Sequence, residues 1–230
     1  MWSNFGQQLY DNIILNGRWK LYLEGLGTTI FVTLGAAIIG IIIGSLVAIC
    51  KVYAQDSRKL WPFEKLCDIY LTVFRGTPMM VQLLIFSWVI FASVPMDKLN
   101  LVGTLAFGVN SGAYVAEIVR AGIQAVNPGQ MEAGRSLGLT KNMTMRLIIM
   151  PQAIKNILPA LANEAITLLK ETAILGYIAV GDITYMATWI RSRTYSPVPL
   201  LVTALVYLGI VMLMTYGMRK LERRLKRSER

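Results

Sequence analysis

Glu164 carries a carboxylate inside an apolar stretch with no counter-charge close by in the chain. It follows Asn163 midway along the run 154–180, with Ala160, Thr167, Leu168 and Glu171 on the same helical face. The nearest base is Lys170, six residues on and on a different face. A carboxylate so placed is protonated, paired across helices, or open to a cationic ligand. Asn110, Tyr114 and Glu117 recur at i, i+4 and i+7 and form one polar stripe on another helix. Glu117 stands three residues before Arg120, so the stripe either neutralises itself there or presents Glu117 to a ligand. Arg75, Lys170 and Glu171 are further charges within apolar runs, and each must face protein or water rather than lipid. Gly76-Thr77-Pro78 breaks a helix-length run, and proline frees backbone groups to face a cavity. Asp182, after Gly181 and near Thr184 and Tyr185, reads as a solvated loop acid or as part of an outer gate or substrate site.

The elements that must position these groups are membrane spans. Of 230 residues 55% are hydrophobic and only 16% charged, and the mean hydropathy is +0.52. The excess lies in runs near the length of about 20 apolar residues that a crossing helix needs. Ten-residue alternation is absent, so the pattern is that of an all-α membrane protein rather than a β-barrel. Five spans are expected at about 26–50, 66–94, 101–126, 154–180 and 199–218. Residues 1–24 read as an amphipathic segment at the membrane surface, with Trp2, Trp19 and Tyr22 as anchors, and no cleavable leader precedes the first run. With the N-terminus outside and the C-terminus inside, fifteen Lys and Arg fall in inner segments and five in outer ones. The inner set includes Lys51, Arg58, Lys59 and Lys65, then Arg135, Lys141, Arg146 and Lys155, and the basic tail 219–230. The net charge of +10 thus follows topology and anionic lipid, not nucleic acid. There is no histidine, which removes the commonest general base and metal ligand. Cys50 and Cys67 lack metal-like or CxxC neighbours and read as inert thiols. No catalytic cluster, metal site or nucleotide-binding loop of the Gly-x4-Gly-Lys-Ser/Thr kind is present, so the chain is not read as an enzyme.

Between the third and fourth runs lies a polar, basic stretch, about 127–150. Asn127-Pro128 suits a helix start, with Glu132 near the favourable end of its dipole. Ala133, Gly134 and Gly138 are small residues read as a flat strip for a close-approaching surface. Glu132-Ala133-Gly134, then Gly138, then Ile148-Ile149-Met150-Pro151 closely resembles the EAA loop of permease subunits in ATP-binding-cassette importers. Gly134 stands for the second Ala of the triplet and Met150 for the usual Leu, both mild departures. The likeness extends to Gly27-Thr28-Thr29, Phe74-Arg75-Gly76-Thr77-Pro78-Met79-Met80-Val81-Gln82 and Gly112–Gly122, and to Pro151-Gln152-Ala153, Leu158-Pro159 and Leu169-Lys170-Glu171-Thr172. It covers about 25–182 and is similar to the polar amino-acid branch, which takes up histidine, arginine, glutamine and related solutes.

The resemblance implies a type I importer transmembrane domain over 25–218 in a bacterial inner membrane. Its partners would be an ATPase dimer carrying the ATP and Mg, an external solute-binding protein, and a second permease copy or related chain. Five spans alone are too few to wall a pathway, which also calls for at least a dimer. Glu132, Ala133, Gly134 and Gly138 would receive force from the ATPase. Other amino-acid permeases in this branch can carry a neutral Gln at the matching place, so by the resemblance the acid points to a basic cargo, with a polar neutral cargo such as glutamine as the alternative. A free amino acid presents an ammonium, a carboxylate and a side chain. Glu164 would take a cationic side chain, with Asn110, Ser111, Glu117, Thr77, Thr172 and Asp182 as further contacts. A passive channel subunit is the rival from another class, and it would have no need of the Glu-Ala-Gly loop.

Overall fold

The computed structural model describes residues 5–54 and 60–227. Trp2, Arg58, Lys59 and Arg230 of the expectations above lie outside these residues, as do the side chains of Lys226 and Arg227. Every regular element among the described residues is helical, as a chain that must satisfy its own backbone in lipid requires.

The chain begins with α1, Phe5–Leu9, and a π turn over Tyr10–Ile14. Asn16 (φ 55) and Gly17 (φ 68) then take left-handed backbone and end the segment. The expected surface helix is therefore not continuous, and Trp19 and Tyr22 belong to the first turns of α2, Trp19–Ala54. At about 1.5 Å per residue α2 is longer than the hydrocarbon core is thick. The second run is split into α3, Trp61–Gly76, and α4, Met79–Ile85. Between them Thr77 and Pro78 are extended, which is the backbone the residue before a proline favours. The third run is α5, Leu99–Gln124.

The polar loop folds as α6, Gly129–Ser136, and α7, Lys141–Thr144. A π turn over Met145–Ile149 leads into α8, Met150–Glu171, which passes through Pro159. A 3-10 stretch, Thr172–Ile178, is followed by α9, Ile183–Thr194, a helix not expected from the sequence. The last helix is α10, Val198–Arg227. Among the described residues three helical stretches are long and apolar enough to cross a membrane, and five if each of two broken pairs counts as one span.

The described residues form two compact units. The first takes residues up to 37, 78–108 and 166–214. Its core gathers Val32 and Ala36 of α2, Leu83 of α4, Ala106 and Phe107 of α5, Leu168 of α8, and Leu175 and Ile178 of the 3-10 stretch. A smaller cluster joins Tyr22 to Ile183, Ala187 and Ile190 of α9. Gly25 makes that contact possible, since a Cβ there would stand 2.8 Å from Ile183 Cα.

The second unit takes residues 38–77, 109–165 and those from 215 on. Here the latter half of α2 packs closely on α5, and a Cβ on Gly44 would lie 2.6 Å from Val115 Cβ. Ala48, Val115, Val119, Ile149, Ala153 and Ile157 form its main cluster. Leu71, Ala113 and Ala116 form a second one, with Tyr70 and Phe74 against it.

Candidate functional site

In the second unit Glu164 projects from α8 and is half-buried. Its Oε1 accepts a hydrogen bond from the Ser111 hydroxyl of α5 at 2.8 Å. Ser111 is 1% exposed, and it fits under α2 because Gly40 has no Cβ, which would come within 3.0 Å of the Ser111 side chain. Among the described residues no Lys or Arg lies within ion-pairing distance of Glu164. The cross-helix bond therefore orients the carboxyl group without bringing a cation to it.

The polar stripe of α5 faces α3. Asn110 Nδ2 donates to the Phe74 carbonyl at 3.1 Å, one of the carbonyls left open where α3 ends. Tyr70 of α3 donates its hydroxyl to the Val109 carbonyl at 2.6 Å. Thr77 is exposed and donates to the Val73 carbonyl at 2.8 Å. The Asn110 and Tyr70 bonds hold the end of α3 against α5, while the Thr77 bond closes back on the last turn of α3 itself. Glu117 is bonded by Arg120 through Nε and Nη2 and lies 3.7 Å from Arg75 Nη1. Its charge is thereby committed to guanidinium groups.

Thr172 and Asp182 belong to the first unit. Thr172 is fully buried and donates to the Leu169 carbonyl at 2.7 Å. Asp182 is also fully buried, so the reading of a solvated loop acid is corrected. Its carboxylate accepts the backbone N–H groups of Thr184 at 2.9 Å and Tyr185 at 3.0 Å, the cap of α9. Gly-Asp-Ile-Thr was the sequence signal for this helix start: Asp accepts the N–H groups that a first turn leaves open.

In the loop, Glu132 and Ala133 are exposed on α6, but Gly134 is buried. A Cβ on Gly134 would clash with Thr144 Cγ2 and stand 3.2 Å from Ile148 Cδ1. Gly138 lies past the end of α6 with φ 83 and is exposed. The two glycines therefore do not share the flat strip expected from their spacing: one lets α6 pack on α7 and the following π turn, and the other makes the turn. Thr140 caps α7, its Oγ1 accepting the Met143 N–H at 3.3 Å. The outward apolar groups are Leu137, 81% exposed, with Leu147 and Met143. Sequence reading missed them, since apolar residues in a loop ordinarily signal burial.

The family described as binding-protein-dependent transport system inner membrane component matches residues 38–227. The arginine transport system permease protein ArtQ of Bacillus subtilis is 39% identical over 210 residues, covering 90% of this chain and 93% of its own. GlnP of Rickettsia bellii, named for glutamine transport, is 39% identical over 208 residues, covering 88% of this chain and 92% of its own. In the crystal structure of an amino acid ABC transporter with histidines, a chain 42% identical superposes with TM-score 0.82, covering 89% of this chain and 94% of that one. A chain of the inward-facing MetNI methionine ABC transporter, 19% identical, covers 92% of this chain and 99% of its own with TM-score 0.76, a likeness of fold.

Proposed function

Since this chain belongs to the binding-protein-dependent transport system inner membrane component family and is an amino-acid ABC transporter permease, we propose that its cargo is the basic amino acids arginine, lysine and histidine. The observation that carries the reading is Glu164: a half-buried carboxylate with one hydroxyl donor and no cation within ion-pairing distance among the described residues. An unmatched charge in apolar surroundings is costly, and a cationic side chain entering beside it relieves that cost. Glutamine is the second reading, supported by the relatives named for glutamine transport.

The rest of the machine follows from the family. Two permease copies, or one with a related chain, form the pathway, an ATPase dimer hydrolyses ATP with Mg, and an external solute-binding protein delivers cargo. The N-terminus faces out and the C-terminus in, because the inner segments hold most of the Lys and Arg. Residues 25–218 are the transporting domain, between a surface segment and a basic tail on anionic lipid. Glu132 and Ala133, with Leu137, meet the ATPase, while Gly134 and Gly138 shape the loop that presents them. Ser111 orients Glu164, and Asn110 and Thr77 hold the break in α3. Thr172 and Asp182 keep the 3-10 stretch and α9 in place. Glu117 is held between Arg75 and Arg120.

The test is equilibrium binding of arginine, lysine, histidine, glutamine and glutamate to the purified permease–ATPase complex, native and Glu164→Gln. Binding of the basic set, lost in the variant while glutamine is unaffected, supports the reading. Equal binding of glutamine and arginine, or a variant that matches the native complex, overturns it.

A further inference from the structure

Arg75 of α3 and Arg120 of α5 share the Glu117 carboxylate unequally. Arg120 holds it through Nε at 3.3 Å and more closely through Nη2, and also donates Nη1 to Gln124 Oε1 at 2.9 Å. Arg75 Nη1 reaches the same carboxylate only at 3.7 Å, beyond hydrogen-bond length. Among the described residues Arg75 makes no shorter polar contact. Its guanidinium carbon stands 5.8 Å from the centroid of the Tyr114 ring, and 43% of the side chain is exposed. One carboxylate between two guanidiniums leaves a positive charge unmatched, and the geometry puts it on Arg75.

That charge opens into a cleft of 570 Å³ lined in part by Arg75, Gly76, Tyr114 and Glu117. The other cation in the wall is Lys51, already closed on Asp68 at 2.6 Å. There is room beside Arg75, since a Cβ on Gly76 would meet nothing within 4 Å. A guanidinium is costly in hydrocarbon without a partner, and its planar donors match a carboxylate with two parallel bonds.

We propose that Arg75 is the anchor for the α-carboxylate of the transported amino acid, at the opposite pole from Glu164. Ser111, which orients Glu164, and Tyr114 and Glu117, which flank Arg75, are three and six residues apart on α5. That is a rise of roughly 4.5 to 9 Å along α5. Glu164 and Ser111 stand outside the wall of the cleft beside Arg75, and a basic amino acid carries its carboxylate and side-chain cation at the two ends of a short carbon chain. Arg75 then recognises what all amino acids share, and Glu164 recognises what sets the basic ones apart. The assignment rests on the reading that the membrane part binds its cargo.

Arginine and argininamide, in which a neutral carboxamide replaces the carboxylate, test it by equilibrium binding, at a pH low enough to keep both α-amino groups protonated, to the permease–ATPase complex in native, Arg75→Gln, Arg75→Lys and Glu164→Gln forms. The native complex is expected to prefer arginine by about tenfold, the scale of a hydrogen bond to a charged group. The preference falls to within about twofold in Arg75→Gln and lies between in Arg75→Lys, while argininamide binds native and Arg75→Gln alike, which shows that the variant is folded. A preference that survives in Arg75→Gln overturns the anchor. So does a native complex that binds both ligands equally, and Glu164→Gln then shows separately whether side-chain recognition stands. If the native complex binds neither, the cargo reading fails and the anchor with it. An anionic lipid headgroup as the true occupant would leave the arginine-to-argininamide ratio unchanged, while phosphatidylglycerol copurifies with the native complex and not with Arg75→Gln. That result also overturns the proposal.

Discussion

Asp182 and Glu164 are both acids in apolar surroundings, and they are satisfied to very different degrees. Asp182 is sealed from solvent and accepts two backbone N–H groups from the helix it starts. Its donors come from its own next three residues, so its role is complete within one unit of the fold. Glu164 is half-open, takes one hydroxyl from a helix distant in sequence, and has no cation within ion-pairing distance among the described residues. A carboxylate whose donors are all built in serves the fold, and one left short of a partner is ready for a ligand.

Substitutions can break that contrast, and the largest effect is expected at Glu164. Glu164→Gln should weaken binding of basic amino acids by about tenfold or more, from the loss of about 1.5–3 kcal/mol. Its unfolding midpoint should stay near the native value, because Gln keeps the volume and an acceptor for Ser111. A lower midpoint with unchanged affinity would make Glu164 a structural acid and erase the contrast. Asp182→Ala should do the reverse: removing the cap of α9 should cost about 1–2 kcal/mol of stability in thermal or denaturant unfolding, with the arginine-to-glutamine affinity ratio unchanged. Asp182→Asn should recover most of that loss, since Asn caps nearly as well as Asp. A shift in cargo preference in either Asp182 variant would place that residue in the transport path. The smallest effect on cargo preference is expected for Ser111→Ala, which removes one hydrogen bond to the carboxylate, about 1.5 kcal/mol, and leaves its charge in place. Arginine should still be preferred over glutamine in that variant, because the charge remains. A loss of preference there would show that orientation of the carboxylate, rather than its charge, selects the cargo.

The loop shows how far spacing can be read. Glu132-Ala133-Gly134 and Gly138 marked the segment, and the helix–turn–helix is there. Spacing by four did not reveal that Gly138 lies beyond the helix with φ 83, nor that Gly134 faces Thr144 and Ile148. Those facts depend on how α6 folds back on α7 and the π turn, a packing that helical periodicity does not encode. Helix α9 was missed because its twelve residues carry too little apolar periodicity to stand out, and its clearest mark, Asp182, also suits a solvated loop. The break at Gly76-Thr77-Pro78 was plain from the chemistry of proline. Its brace by Asn110 was not, because Phe74 and Asn110 are 36 residues apart.

The sequence by itself determined the solvent and the class. Long apolar runs without ten-residue alternation point to helices that satisfy their own backbone in lipid, and the Glu-Ala-Gly loop marks the family. It also singled out Glu164, because an acid without a neighbouring base is visible in one dimension. Only the tertiary structure decided which charges are already matched. Arg120 takes Glu117 and leaves Arg75 open, Lys51 closes on Asp68, and Ser111 reaches Glu164 across two helices. The energy of a charge falls with distance in space, and residues far apart in the chain become neighbours only when the helices pack.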